Sequence, residues 1–258
     1  MFKGIKELYK YRQFLKTSVQ KEFRGKYKKS FLGVLWSFIN PLLQLLVYAI
    51  VFPFILRVHE DNYVMFIFTA LVPWIFFSGT LSQSTSVIIS NGGILKKVYF
   101  PREILPISIV LSGALNFLVS CAIIFVALFI SGIGVSPYIL FLPIVLIVQS
   151  VIILAFVFVL SAITVYIRDL EYFISVLLQL WMYLTPILYS ITLIPDKFAK
   201  LFYLNPMTQI INSYRNIFYY KQMPDLKALG IWFIIGIIGT VIGYKIFKKF
   251  EKRFAEEL

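Results

Sequence analysis

Five stretches of at least 17 residues in this chain hold no Asp, Glu, Lys or Arg: 31–56, 62–95, 104–167, 172–195 and 228–244. A charge at the centre of a bilayer costs at least ~2.5 kcal/mol, and about 20 apolar residues cross its hydrocarbon. The third stretch is long enough for two crossings, with Gly132, Gly134, Ser136 and Pro137 supplying the turn between them. Six spans are therefore expected, near 33–56, 63–88, 105–131, 138–166, 173–193 and 228–247. The fold class that follows is an all-α membrane protein. A 60% hydrophobic composition and a mean hydropathy of +0.85 agree, since a soluble domain carries roughly 45–50% apolar residues.

The formal charge of +13 would suit nucleic-acid binding if it were spread over a surface, but charged residues are only 14% of the chain and cluster at the ends and between apolar runs. That pattern belongs to a membrane surface. Six spans put both termini on one side. That side holds 19 of the 25 basic residues: ten before Phe31, three in 91–103, Arg168, and five from Lys245 onward. The excess predicts cytoplasmic termini. The basic stretch ahead of the first apolar region does not read as a cleavable signal, so the first span is expected to be an anchor. Cys121, the single cysteine, lies in an apolar run and says nothing about redox compartment.

Residues 196–226 are apolar enough in part to suggest a seventh span. Arg215, Asn205, Gln209, Asn212 and Asn216 argue against a crossing. Asn205-Pro206 reads as an N-cap followed by Pro at the first helical position. Met207, Ile210, Ile211, Tyr214 and Phe218 then recur at helical spacing. We expect two short amphipathic re-entrant helices dipping into the outer leaflet, although a plain surface helix fits the same pattern. Within residues 1–30, Ile5, Leu8, Tyr9, Phe14, Leu15, Val19 and Phe23 form an apolar stripe among lysines, as in a helix lying in the inner membrane interface.

The core of each expected span lacks the acidic residue or histidine that an ion-coupled transporter needs at membrane depth. Uphill transport would need another energy source, yet no GxxxxGK[ST] phosphate loop occurs. Catalytic equipment is equally sparse: His59, beside Glu60 and Asp61, reads as a solvated loop cluster, and no HExxH or GxSxG motif is present.

Several segments in order carry a resemblance: RGKYKKSFLGVLW and then Pro41 at the start of span one, LVPWIFF at 71–77, NGGILKKVYFPREILP at 91–106, Arg168-Asp169-Leu170, TPILY at 185–189, and Asn205-Pro206 with Arg215. Together they make the chain similar to the type-2 ABC export permeases of the polysaccharide, O-antigen and teichoic-acid branch. The resemblance implies a homodimer in the bacterial cytoplasmic (inner) membrane, joined to a separate ATP-binding subunit. ATP and Mg would sit on that partner, with no cofactor on this chain. It implies a six-span permease domain over 31–258 that moves a lipid-linked polysaccharide. It also implies a cytoplasmic coupling helix between spans two and three and re-entrant helices at 196–226.

Within 91–103, Asn91-Gly92-Gly93 should break span two, Leu95 through Tyr99 should form a short basic helix, and Pro101 should stop it. Leu95, Lys96, Lys97, Tyr99, Arg102 and Glu103 are the candidate contacts to the ATPase; a plain basic loop is the alternative. Arg168 and Asp169 could pair, or form a second ATPase contact. Arg24, Lys26, Lys28 and Lys29 are candidates for a pyrophosphate headgroup, Arg offering a bidentate fork, although attraction to anionic membrane lipids explains them equally. Tyr48, Phe52, Trp74, Phe76, Phe77, Tyr183 and Tyr189 could line a polymer path, or serve as interfacial belts and packing. Asn205, Pro206, Met207 and Arg215 are the candidate extracytoplasmic gate. Gly236, Gly239 and Gly243 share one side of span six and permit close helix approach, within the chain or between copies. The rival readings are a permease for a drug or simple lipid, a membrane-embedded glycosyl or acyl transferase, and a passive channel.

Overall fold

The computed structural model describes residues 7–25, 35–56 and 62–257. Lys26, Lys28, Lys29 and His59 lie outside the described residues. The helices in order are α1 (Arg12–Gly25), α2 (Trp36–Leu56), α3 (Tyr63–Ser90), α4 (Gly92–Leu95), α5 (Ile104–Ile130), α6 (Leu142–Ile163, entered through a single tight turn at Pro137–Phe141), α7 (Leu170–Tyr183), α8 (Asp196–Tyr203), α9 (Pro206–Arg215), α10 (Leu226–Phe250) and α11 (Phe254–Glu257). All regular structure among the described residues is helical. Four helical stretches are long and apolar enough to cross a membrane: Tyr63–Ser90, Ile104–Ile130, Pro137–Ile163 and Leu226–Arg253.

α3 is the axis. Its apolar window is 78% buried inside the chain, against 17% for α10, and α2, α5, α6, α7 and α9 all pack on it. α5 and α6 are joined by a turn whose Gly132 and Gly134 have φ of 73° and 72°, where a Cβ would be strained. α10 lies along α6. Three of the four glycines of α10, Gly236, Gly239 and Gly243, face α6: a Cβ on Gly243 would lie 2.7 Å from the Ala155 carbonyl oxygen, and one on Gly239 3.1 Å from the Ala155 methyl. The glycine side is thus an intrachain seam, where small residues let two backbones approach.

α7 differs from its expected span. It is an apolar helix of 14 residues, about 21 Å long at 1.5 Å per residue, against roughly 30 Å of hydrocarbon. Pro186 ends it, because the residue before a proline is pushed out of the helical region and proline itself donates no hydrogen bond. Residues 184–190 then run without regular helix before the turn Ile191–Leu193. α9 corrects the amphipathic expectation. Its apolar residues Met207, Ile210, Ile211 and Tyr214 are buried, but so are Thr208, Gln209, Ser213 and Arg215. It is a short helix embedded among α3, α6 and α10 rather than one resting on a surface.

The N-terminal helix also packs on protein. Tyr11, Phe14, Leu15, Ser18 and Glu22 recur at helical spacing and are its less exposed side, and α1 lies against α5. Phe14 packs on Phe100 with ring centroids 4.5 Å apart and the planes tilted by 48°, Lys21 Nζ donates to Asn91 Oδ1 at 2.6 Å, and Gln83 Nε2 donates to Glu22 Oε2 at 2.8 Å.

Candidate functional site

Two constellations of polar side chains stand out, one at each end of the bundle. The first surrounds the break after α7. A chain that leaves the helical path exposes carbonyls that lipid cannot satisfy, so protein donors must meet them. Arg215, 2% exposed, supplies most of these. Its Nη2 donates to the Ile187 carbonyl at 2.5 Å, Nη1 to Pro186 at 2.5 Å and to Tyr189 at 3.5 Å, and Nε to Phe66 of α3 at 3.3 Å. The guanidinium carbon lies 3.6 Å from the Phe66 ring centroid, a cation–π contact that offsets part of the cost of burying the charge. Tyr63 donates its hydroxyl to the Leu188 carbonyl at 2.6 Å.

Asn205 meets the same break from the other side. Its Oδ1 accepts from the Met207 amide at 3.0 Å, the cap that the Asn-Pro pair predicts, and from Trp181 Nε1 at 3.1 Å. Its Nδ2 donates to Thr185 Oγ1 at 2.8 Å and to the Leu184 carbonyl at 3.3 Å. Of the candidate gate residues, Asn205 and Arg215 are therefore brought together on one irregular segment, while Pro206 and Met207 form the first turn of α9 behind the Asn205 cap.

Sequence reasoning missed Gln149. It lies fully buried in α6, donates Nε2 to the Pro73 carbonyl at 2.8 Å and accepts the Tyr214 hydroxyl on Oε1 at 3.0 Å. It thus ties α3, α6 and α9 at membrane depth. A lone glutamine between apolar residues was the available signal, because such a group in lipid must be paired.

At the opposite end, 91–103 forms its helix one turn earlier than expected. The helix is Gly92–Leu95, Lys96 and Lys97 form the turn, and 98–101 has no regular secondary structure. Phe100 is the reason: it is buried against Phe14 of α1, and the following Pro101 favours an extended residue before it. Lys96 and Lys97 face outward, Tyr99 is 90% exposed, and Ile94 and Val98 flank them, also exposed. Leu95 is buried. Arg102 and Glu103 turn inward to the end of α10. Glu103 is 0% exposed, with Lys248 Nζ at 2.7 Å and the Tyr244 hydroxyl at 3.3 Å, and Arg102 Nη1 donates to the Glu251 carbonyl. Arg168 and Asp169 are exposed and form no ion pair with each other.

The aromatic residues divide. Trp74 and Phe77 belong to the core, their rings 5.5 Å apart, with Phe77 edge-on to Trp181 at 5.1 Å. Phe76 borders a cavity of about 340 Å³ between α2, α3 and α5 that Asn40, Thr80, Asn116 and Ser120 also line. Tyr48 and Phe52 of α2 pack edge-on at 5.7 Å, and the Tyr48 hydroxyl meets Met182 Sδ at 3.8 Å. Tyr183 is exposed, and Tyr189 donates to its carbonyl at 2.8 Å. Arg24 is exposed at the end of α1.

Residues 13–219 match the model of the family described as ABC-2 type transporter. An O-antigen export system permease protein, RfbA, of Myxococcus xanthus is 35% identical over 260 residues, covering 100% of both chains. Two proteins of the same description from Klebsiella pneumoniae are 37% and 36% identical over 239 residues, 92% of each chain.

Proposed function

The chain belongs to the ABC-2 type transporter family, and on that premise we propose that it is the permease subunit of an ATP-driven exporter carrying a polyprenyl-pyrophosphate-linked polysaccharide of the O-antigen kind across the bacterial cytoplasmic membrane. The observation that carries the cargo assignment is similarity to an O-antigen export permease over the whole of both chains. The 258 residues hold no phosphate-loop motif, so ATP and Mg belong to a partner chain. The exposed Lys96, Lys97 and Tyr99 form the surface that this partner engages.

In this reading α2 and α7 are the first and fifth of six spans, both termini are cytoplasmic, and α8 and α9 re-enter from outside. The exposed apolar residues Leu42, Leu46 and Ile50 of α2, with Phe173, Val176 and Leu180 of α7, face lipid or a second copy of the chain in a homodimer. Arg24, with Lys26, Lys28 and Lys29, receives the pyrophosphate, whose charge partial dehydration at the interface makes easier to pair.

Depletion of the protein in producing cells should cause lipid-linked glycan to accumulate on the cytoplasmic side, and tagged protein should copurify with an ATPase subunit. Surface polymer at normal levels after depletion would remove the cargo assignment. Purification without any ATP-hydrolysing chain would remove the transporter assignment.

A further inference from the structure

The buried carboxylate of Glu103 has no counterpart elsewhere in the described structure. It stands where the exposed 96–99 stretch gives way to α5, and it is fully buried. Its Oε2 receives Lys248 Nζ at 2.7 Å and its Oε1 the Tyr244 hydroxyl at 3.3 Å, both from α10. Glu251, one turn further along, holds the same Nζ at 3.0 Å and so orients it. Arg102 adds its bond to the Glu251 carbonyl and lies 6.0 Å from the Phe254 ring centroid. Against this polar layer, Leu95, Phe100 and Leu105 share one apolar cluster with Phe158, Phe247 and Phe254.

We propose that Glu103 and Lys248 are positioning residues that join the 92–103 segment to α10, so that a displacement imposed on the exposed Lys96–Tyr99 stretch is delivered to the last long helix. The proposal rests on the ATPase-coupled reading above. The apolar cluster alone would let the segment slide, because hydrophobic contact is non-directional. The Glu103–Lys248 pair does not slide, because Glu103 is buried even though Lys248 is partly exposed, and separating the two strands a carboxylate inside protein. The far side of α10 is held as firmly, since the Gly243 backbone approaches the Ala155 carbonyl too closely to admit a side chain. Movement at 92–103 therefore continues through α10 into α6.

The test compares complexes of permease and ATPase purified in detergent, for ATP hydrolysis, with the same cells assayed for radiolabelled surface glycan. Glu103→Gln and Lys248→Met should copurify with the ATPase in normal yield and hydrolyse ATP at close to the wild-type rate, while surface glycan per ATP hydrolysed falls about tenfold. Lys248→Arg, which keeps the cation, and the exchange Glu103→Lys with Lys248→Glu should each recover much of that loss. The proposal is overturned if both neutral variants export normally, if they lose the ATPase as a surface-contact variant would, or if the charge-keeping and charge-exchanged proteins export as poorly as the neutral ones. Absence of an ATPase from wild-type preparations would instead refute the transporter reading and not the Glu103–Lys248 link.

Discussion

The two ends of the bundle use buried charge in opposite ways. Around Arg215 the cation is spent on backbone: the carbonyls of Phe66, Pro186, Ile187 and Tyr189 all converge on one guanidinium. Around Glu103 the charge is spent on another side chain, and the partners come from positions 145 residues apart. A backbone-directed charge fixes the path of a chain that has left its helix, and nothing else can replace it cheaply. A side-chain pair joins two elements that are each already folded. The first arrangement is a condition of the fold, whereas the second is a connection between finished parts, next to the exposed Lys96–Tyr99 stretch.

Replacing Arg215 should therefore have the largest effect on the isolated chain. Arg215→Leu leaves several buried carbonyls without their donor, at about 1–3 kcal/mol each before relaxation. We expect loss of at least ~3 kcal/mol, read as a large fall in detergent-solubilised unfolding temperature and in yield. Arg215→Lys should recover only part, because one ammonium cannot span the set of carbonyls that the planar fork reaches. A variant Arg215→Leu as stable as wild type would break the contrast between the two ends.

Next in size is the α6–α10 seam. Gly243→Val forces a branched side chain to where a Cβ already lies 2.7 Å from the Ala155 carbonyl oxygen, and such overpacking costs about 1–3 kcal/mol. Gly230→Ala, on the same helix but with nothing within 4 Å of the added Cβ, should be neutral or slightly stabilising. Equal unfolding temperatures for the two variants would show that the close approach is not a constraint.

Gln149→Leu should fall below these. It removes one bond to the Pro73 carbonyl and one from Tyr214, and it leaves the tyrosine hydroxyl without that acceptor. A net cost of ~1–2 kcal/mol is expected, because each neutral bond contributes about 1 kcal/mol and the leucine restores apolar contact. Equal unfolding temperatures for Tyr214→Phe, Gln149→Leu and their double variant would assign the cost to their mutual bond.

Much of the long-helix order could be read from the sequence because charge exclusion is a coarse and strong signal. The expected spans that end near 88, 131, 166 and 247 are bounded by charges or turn residues, and the helices stop within a few positions of those ends, at Ser90, Ile130, Ile163 and Phe250. The Asn205 cap was legible for a similar reason, since it depends on two adjacent residues. Less could be read wherever the deciding contact was distant. Leu95–Tyr99 looks helical in isolation, but Phe100 packs on Phe14 some 86 positions earlier, and the helix ends at Leu95 in a turn ahead of it. TPILY carries apolar character suited to a span, and only the structure shows the helix ending and Arg215 collecting the freed carbonyls. Arg102 and Glu103 were grouped with Lys96 and Lys97 because all four are charged neighbours; the fold separates them by the direction in which each side chain leaves the backbone.

That separation yields the smallest expected effect on stability. Lys96 and Lys97 stand exposed on the turn after α4, and their side chains make no hydrogen bond or ion pair among the described residues. Reversing both, Lys96→Glu with Lys97→Glu, removes no packing and strands no buried group, so the unfolding temperature of the isolated permease should stay where it is. The consequence should appear only in the assembly. An exposed cationic turn flanked by Ile94, Val98 and Tyr99 offers an apolar centre with a charged rim, and rim charges chiefly govern encounter rate and exclusion of wrong partners. Charge reversal should therefore weaken copurification of the ATPase, with the loss greater at low ionic strength, where screening is least. Adding Tyr99→Ala should deepen it at every salt concentration, because an exposed tyrosine contributes contact area that salt does not screen. If the doubly reversed protein binds the ATPase and exports polymer as the wild type does, Lys96 and Lys97 serve only membrane orientation, and the docking surface lies elsewhere at this end of the bundle.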